Sequence, residues 1–138
     1  MDRLFFDTNV VLDVLEQRAP WFPDSAACLA MARKGSVAGA VSAISLSDIS
    51  YIQRGSDPGK IRDVFSRLLD FLEIAGLDDA VVRKALARPL PDIEDSCQLE
   101  AAIDWRATHL VTRNLKDFAG DFPIRIMEPA GYLKSFGG

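Results

Sequence analysis

The sequence predicts an α/β fold, a three-layer α/β/α arrangement around a central, mostly parallel sheet. Short apolar runs such as Leu4-Phe5-Phe6 and Val37 to Val41 alternate with longer helix-like stretches along the chain. That is the order produced by buried strands joined through helical crossovers. The first run stops at Asp7-Thr8-Asn9, a cluster of helix-capping residues. In a parallel sheet, strand C-termini and the N-termini of the following helices share one rim, where ligands bind.

Taken in order, Leu4-Phe5-Phe6 reads as a buried strand, and Val10 to Leu15 continues as a helix with a broad apolar face. Pro20 to Pro23 is a break, after which Asp24 is placed to cap a helix running through Ala32 and stopped at Lys34-Gly35. Val37 to Val41 is the second strand, and Ser45-Leu46-Ser47-Asp48 starts the third helix. Gly55-Ser56-Asp57-Pro58-Gly59 ends it. Ile61, Val64, Phe65, Leu68, Leu69 and Leu72 then fall on one helical stripe, suited to a core or a dimer face. Glu73 to Leu77 is a brief strand, and Asp78 caps a helix through Leu86. Arg88-Pro89-Leu90-Pro91 links to a helix from Asp95 to Trp105. His109 to Thr112 and Ile124 to Ile126 are the last strands, and Pro129 to Phe136 a terminal helix. No repeat, low-complexity segment or second domain interrupts the chain.

The totals narrow the classes. With 138 residues and 49% hydrophobic content, the chain holds enough apolar material for one real core. Twenty acids against 16 bases give a net charge of −4, which argues against a wholly basic nucleic-acid surface while leaving room for a local patch. The two cysteines, Cys28 and Cys97, have no CxxC spacing, so neither a zinc site nor a disulfide framework is expected. No apolar run has the length of a membrane span, and the N-terminus lacks the layout of a signal peptide. A cytoplasmic protein is expected.

The acids are unevenly placed. Pro91-Asp92-Ile93-Glu94-Asp95 puts three carboxylates at one helix start, where the exposed N–H groups and the macrodipole account for one or two of them. Asp7 follows the first strand, Asp48 lies in the helix after the second, and Asn114 and Asp117 follow the His109 strand. The fold class therefore brings every distinctive polar residue to one edge. Gathered carboxylates must be protonated, paired with bases or bound to metal. Hard oxygen ligands suit Mg²⁺ or Mn²⁺, a centre that activates water and neutralises charge on a phosphodiester. Competing chemistries are poorly supplied: the one histidine, His109, sits inside a presumed strand, and no nucleophile elbow, dinucleotide fingerprint or P-loop is present.

Four stretches, Leu4 to Val10, Val41 to Asp48, Asp92 to Gln98 and Val111 to Phe118, resemble the successive motifs of PIN domains, in order and over nearly the whole chain. The resemblance implies a single PIN-like domain over residues 1–138 and a metal-dependent ribonuclease. In bacteria that is most often the toxin of a type II toxin–antitoxin pair resembling VapC. It implies RNA as substrate, an antitoxin partner, a homodimer, and Mg²⁺ or Mn²⁺ as cofactor. By position it assigns Asp7, Asp48, Asp95 and Asp117 to catalysis, with Asp7 and Asp95 on the metal. Asn9, Asp92, Thr112 and Asn114 would support them, and Arg113 and Lys116 would meet RNA. Asp48 stands where the family usually has glutamate, one methylene longer.

Each position also has a plainer reading. Asp7 and Asp92 could simply cap helices, Asp48 could answer Ser45 in an S-x-x-D box, Asn114 could be a turn residue, and Thr112 a strand-end threonine. The alternative function is a non-catalytic PIN-like module binding RNA or protein, with Asp48 marking a decayed site.

Overall fold

Leu4, Phe5 and Phe6 are wholly buried because their strand has helices on both faces. The computed structural model describes residues 1–137. It comprises β1 (Arg3–Phe6), α1 (Thr8–Leu15), α2 (Phe22–Arg33), β2 (Ala38–Ser42), α3 (Ala43–Ile52), α4 (Pro58–Leu68) and β3 (Leu72–Ala75). There follow α5 (Asp79–Ala87), α6 (Ile93–Asp104), β4 (His109–Val111), a 3₁₀ turn (Leu115–Phe118), β5 (Arg125–Met127) and α7 (Pro129–Gly137).

The five strands lie in the order β3-β2-β1-β4-β5, and every pairing is parallel. The chain winds outward from β1 on one side, then returns to the middle as β4. The order therefore reverses between β1 and β4, the point at which open parallel sheets leave a crevice at their C-terminal ends. Asp7 directly follows β1 and Thr112 directly follows β4. Their strands are tied there, since Asp7 N–H donates to the Val111 carbonyl at 3.0 Å.

Alternation along β1 divides the core in two. Leu4 and Phe6 pack with Val10, Val11 and Leu12 of α1, with Cys28 and Leu29 of α2, and with Tyr132 of α7. Phe5 points the other way, into a cluster with Val81 of α5 and Leu99, Ala101 and Ala102 of α6. These are the three layers expected from the sequence.

Several boundaries differ from the sequence expectation, each for a local reason. The stripe from Ile61 does not run to Leu72 as one helix: α4 ends at Leu68, and Leu72 is the first residue of β3. Leu68 and Leu72 are both buried in the same cluster, so helix end and strand start serve one core face and mimic one period. Asp24 is not the cap of α2, which starts at Phe22 with Trp21 as a cap lacking any side-chain bond; Asp24 is a first-turn acid. The third helix starts at Ala43 rather than Ser45. Ser42 caps it by accepting from Ser45 N–H at 3.4 Å, so no box forms between Ser45 and Asp48. The helix of the three acids starts at Ile93, capped by Asp92, which accepts from Asp95 N–H at 3.0 Å. The expected caps Asp7 and Asp78 do cap α1 and α5.

Gly39 of β2 shows how closely the layers meet. A Cβ there would lie 2.7 Å from the Leu72 side chain and 2.9 Å from the Ala32 methyl. Gly39→Ala is expected to cost about 1–3 kcal/mol by overpacking. Gly76→Ala, where nothing lies within 4 Å, should stay within about 0.5 kcal/mol of the parent. Urea unfolding of the two variants checks this.

Candidate functional site

The crevice at the strand-order reversal is a cleft of about 540 Å³. Six carboxylates line it, from Asp7, Asp48, Asp92, Glu94, Asp95 and Asp117, together with Asn9 and Asn114, and no lysine or arginine does. They arrive on the same rim: Asp7 from the cap of α1, Asp48 from the second turn of α3, Asp92, Glu94 and Asp95 from the start of α6, and Asn114 and Asp117 from the turn after β4.

Asp7 is the most enclosed of the six, at 7% exposure. One carboxylate oxygen accepts from Thr8 N–H and the other from the Thr112 hydroxyl, each at 2.9 Å. Burial pushes its pKa above the usual carboxylate range, against the pull of these two bonds, and the Asp117 charge pushes the same way. Thr112 also accepts from Asn114 N–H at 3.1 Å. It is thereby the hinge between the first acid and the turn carrying Asn114 and Asp117.

The α6 acids are raised by their neighbours. Asp95 is held up to about 6, first by desolvation and then by Asp92, Asp7 and Asp117. Glu94 is held up to about 7, first by a hydrogen bond with the Asp48 side chain, then by desolvation and the surrounding acids. Two carboxyl groups in contact share a proton readily. Asp48 and Glu94 thus act on each other in the cleft, a pairing that neither local spacing nor the capping rule would suggest.

The two expected RNA-contacting bases do not line the cleft. Arg113 grips Asp13 of α1 with both arms of its guanidinium, at 3.0 and 3.2 Å, and lies 3.9 Å over the Trp21 ring. Asp13 is fully buried, so this cation is committed to neutralising it. Lys116 is exposed on the 3₁₀ turn.

Sequence reasoning overlooked the floor of the cleft. Gln98 of α6, 1% exposed, accepts from the Ser42 hydroxyl at 2.6 Å and donates to Thr8 and Ser45 at 3.1 and 3.2 Å. Thr8 and Ser45 are themselves 2.8 Å apart. A glutamine one helical turn past Asp95, on the same face, was the available signal.

Residues 3–116 match a family model described as PIN domain. The chain belongs to the PIN domain family. No curated protein matches its sequence. Among solved structures, its fold is similar to a chain of a toxin-antitoxin complex from Klebsiella pneumoniae, with 21% identity and a TM-score of 0.69 over 91% of this chain and 97% of that one. It is also similar to a chain of DNA-bound VapBC from Salmonella typhimurium, at 22% identity and a TM-score of 0.65 over 94% and 99%. VapBC-1 from nontypeable Haemophilus influenzae matches at 15% and 0.65, over 93% and 98%. Identities this low establish a common fold. Among the described residues of this PIN domain no helix is long and apolar enough to cross a membrane.

The carboxylates also meet one requirement of a hard-cation centre, being oxygen donors with no internal base to neutralise them. Among the described residues, no three acids, histidines or cysteines are drawn together closely enough to hold an ion as they stand. Mg²⁺ tolerates this arrangement, since it keeps several waters and takes only one or two carboxylates directly.

Two measurements test this account. Glu94 and Asp95 have folded pKa values raised from 4.5 and 3.8 to about 7 and about 6. The folded state thus binds more protons than the unfolded chain between roughly pH 4 and 7, and stability must fall as pH rises through that window. In EDTA the melting temperature should decline over that range, and Glu94→Gln should melt above the parent at pH 8. Separately, Arg113→Ala strands a buried carboxylate and should cost about 3–5 kcal/mol. An unchanged unfolding curve would refute the assignment of Arg113 to Asp13.

Proposed function

We propose that this PIN domain is a divalent-metal-dependent endoribonuclease, hydrolysing RNA phosphodiester bonds as the toxin of a type II toxin–antitoxin pair. The observation that carries the reading is the cleft itself: six carboxylates at the strand-order reversal with no base among them. Such a site has an unmet need for positive charge, and a phosphodiester cannot approach it until that need is met. Family membership supports nuclease chemistry, and the fold shared with VapBC complexes supports an antitoxin as partner.

Asp7 and Asp95 would hold Mg²⁺ or Mn²⁺, with Asp117 and Asp48 completing the ring of charge. A bound ion would supply a Lewis acid for the phosphate and a water of lowered pKa. Thr112 keeps the Asp7 carboxylate in one orientation by donating to it. Asn9 and Asn114 face the cleft with neutral amides suited to orienting a phosphate or a water. Asp92, spent on capping α6, positions the helix start that carries Asp95. Lys116, exposed beside the site, is free to meet the RNA backbone. The half-buried Ile61, Val64 and Phe65 of α4 support a face for a second copy, which light scattering would read as twice the chain mass.

The second reading, a binding module without catalysis, draws on the contact between Asp48 and Glu94. If a proton holds that pair closed, the ring of charge is incomplete. The two readings part on one set of variants. Asp7→Asn and Asp95→Asn should keep or raise the melting temperature in EDTA, lose the rise produced by Mn²⁺, and lower cleavage of RNA by more than about a hundredfold. Asp48→Glu should preserve cleavage and Asp48→Ala should lower it. A parent protein that neither binds Mn²⁺ nor cuts RNA is the module.

A further inference from the structure

We infer that Gln98 is the positioning residue of the acid cleft, fixing the elements that carry Asp7, Asp48 and Asp95 relative to one another so that an ion can be taken up between them. The inference rests on the metal-centre reading and deepens it.

Gln98 spends both amide protons and its carbonyl oxygen on three hydroxyls from two other parts of the fold. Thr8 is the residue after Asp7. Ser45 lies one helical turn before Asp48, and Ser42 caps the helix that carries Asp48. Gln98 itself lies one turn after Asp95, on the same face of α6. Two of the three spokes thus end within three residues of a cleft carboxylate and the third on the cap of α3, and the direct bond between Thr8 and Ser45 closes the network.

The chemical character of the hub matters as much as its place. The elements it joins bear charges of one sign, so electrostatics drives them apart. A lysine or arginine at the hub would hold them together but would also neutralise the acids and compete with the cation. Gln98, Thr8, Ser42 and Ser45 are all uncharged. They fix the spacing by directional bonds and leave the negative charge of the cleft for the ion. An apolar side chain of similar volume would fill the space without dictating the angle between α1, α3 and α6. A buried amide, by contrast, is costly in any arrangement that leaves it unbonded.

The test measures Mn²⁺ affinity by titration of the free ion's magnetic resonance signal, alongside melting in EDTA. The set comprises the parent, Gln98→Leu, Thr8→Val, Ser45→Ala and Val81→Ala. Val81 is buried in the core cluster on the α5 side of α6 and makes none of the bonds of the network, so its variant reports the effect of lost stability. Gln98→Leu is expected to weaken Mn²⁺ binding by about ten- to a hundredfold, the usual effect of removing a partner that orients metal ligands. Thr8→Val and Ser45→Ala should shift it in the same direction by less, and Val81→Ala should bind as the parent does. Should Gln98→Leu fail to fold, the two single-spoke variants carry the test. Parent-like Mn²⁺ affinity in every folded hub variant would overturn the inference and leave the metal reading standing. A parent that binds no Mn²⁺ would overturn both.

Discussion

Like-charge repulsion at the C-terminal rim of the sheet is the constraint to which much of this structure responds. Six carboxylates share one cleft with no base to offset them. Desolvation first raises the pKa of Asp7 and Asp95, a hydrogen bond with Asp48 first raises that of Glu94, and the neighbouring charges push all three the same way. A rim of this kind is unstable by itself and must be held by something beneath it. Two neutral sets of bonds do so: Thr112 grips Asp7 from the end of β4, and the Gln98 network ties α1, α3 and α6 below the acids. Under both lies β1, whose Leu4, Phe5 and Phe6 are wholly buried and packed on the two faces by separate clusters. Repulsion at the rim is thereby borne by a strand packed on both faces.

Positive charge is conspicuous by where it goes. Arg113, four residues before Asp117, turns away from the cleft to neutralise Asp13 in the core beneath Trp21. Arg88 likewise pairs with the buried Glu100 on the far side of α6. Both pairs satisfy a buried carboxylate that would otherwise destabilise its layer. The cleft acids receive no such partner, and the distinction separates the two groups of acids physically. Those that stabilise the fold are paired and sealed. Those that line the cleft are unpaired and partly open, the condition in which a mobile cation binds.

The pairing of Glu94 with Asp48 adds a point about reach. Aspartate stands where glutamate is usual among the chain's relatives by resemblance, and the carboxylate that meets it comes from α6. Glu94, in the first turn of α6, lines the same cleft and brings its own length to the lip from the other side.

Much of this was legible in the amino-acid order, and the reason is locality. Apolar runs, capping residues and the alternation of strand with helix are set by neighbours a few residues apart. They sufficed for the three layers, the parallel sheet and the rim on which Asp7, Asp48, Asp95 and Asp117 gather. Handing over at Leu68 and Leu72 was invisible because both leucines serve the same core, and periodicity records burial rather than backbone geometry. The cap of α3 passed to Ser42 because two serines satisfied the same local rule and only the end of β2 chose between them. Arg113 meets Asp13 across 100 residues, and Gln98 meets Thr8 across 90. No local pattern encodes such partners. They exist because folding brings β4 beside β1 and lays α6 across them, and buried polar groups must then bond to whatever the packing has put within reach.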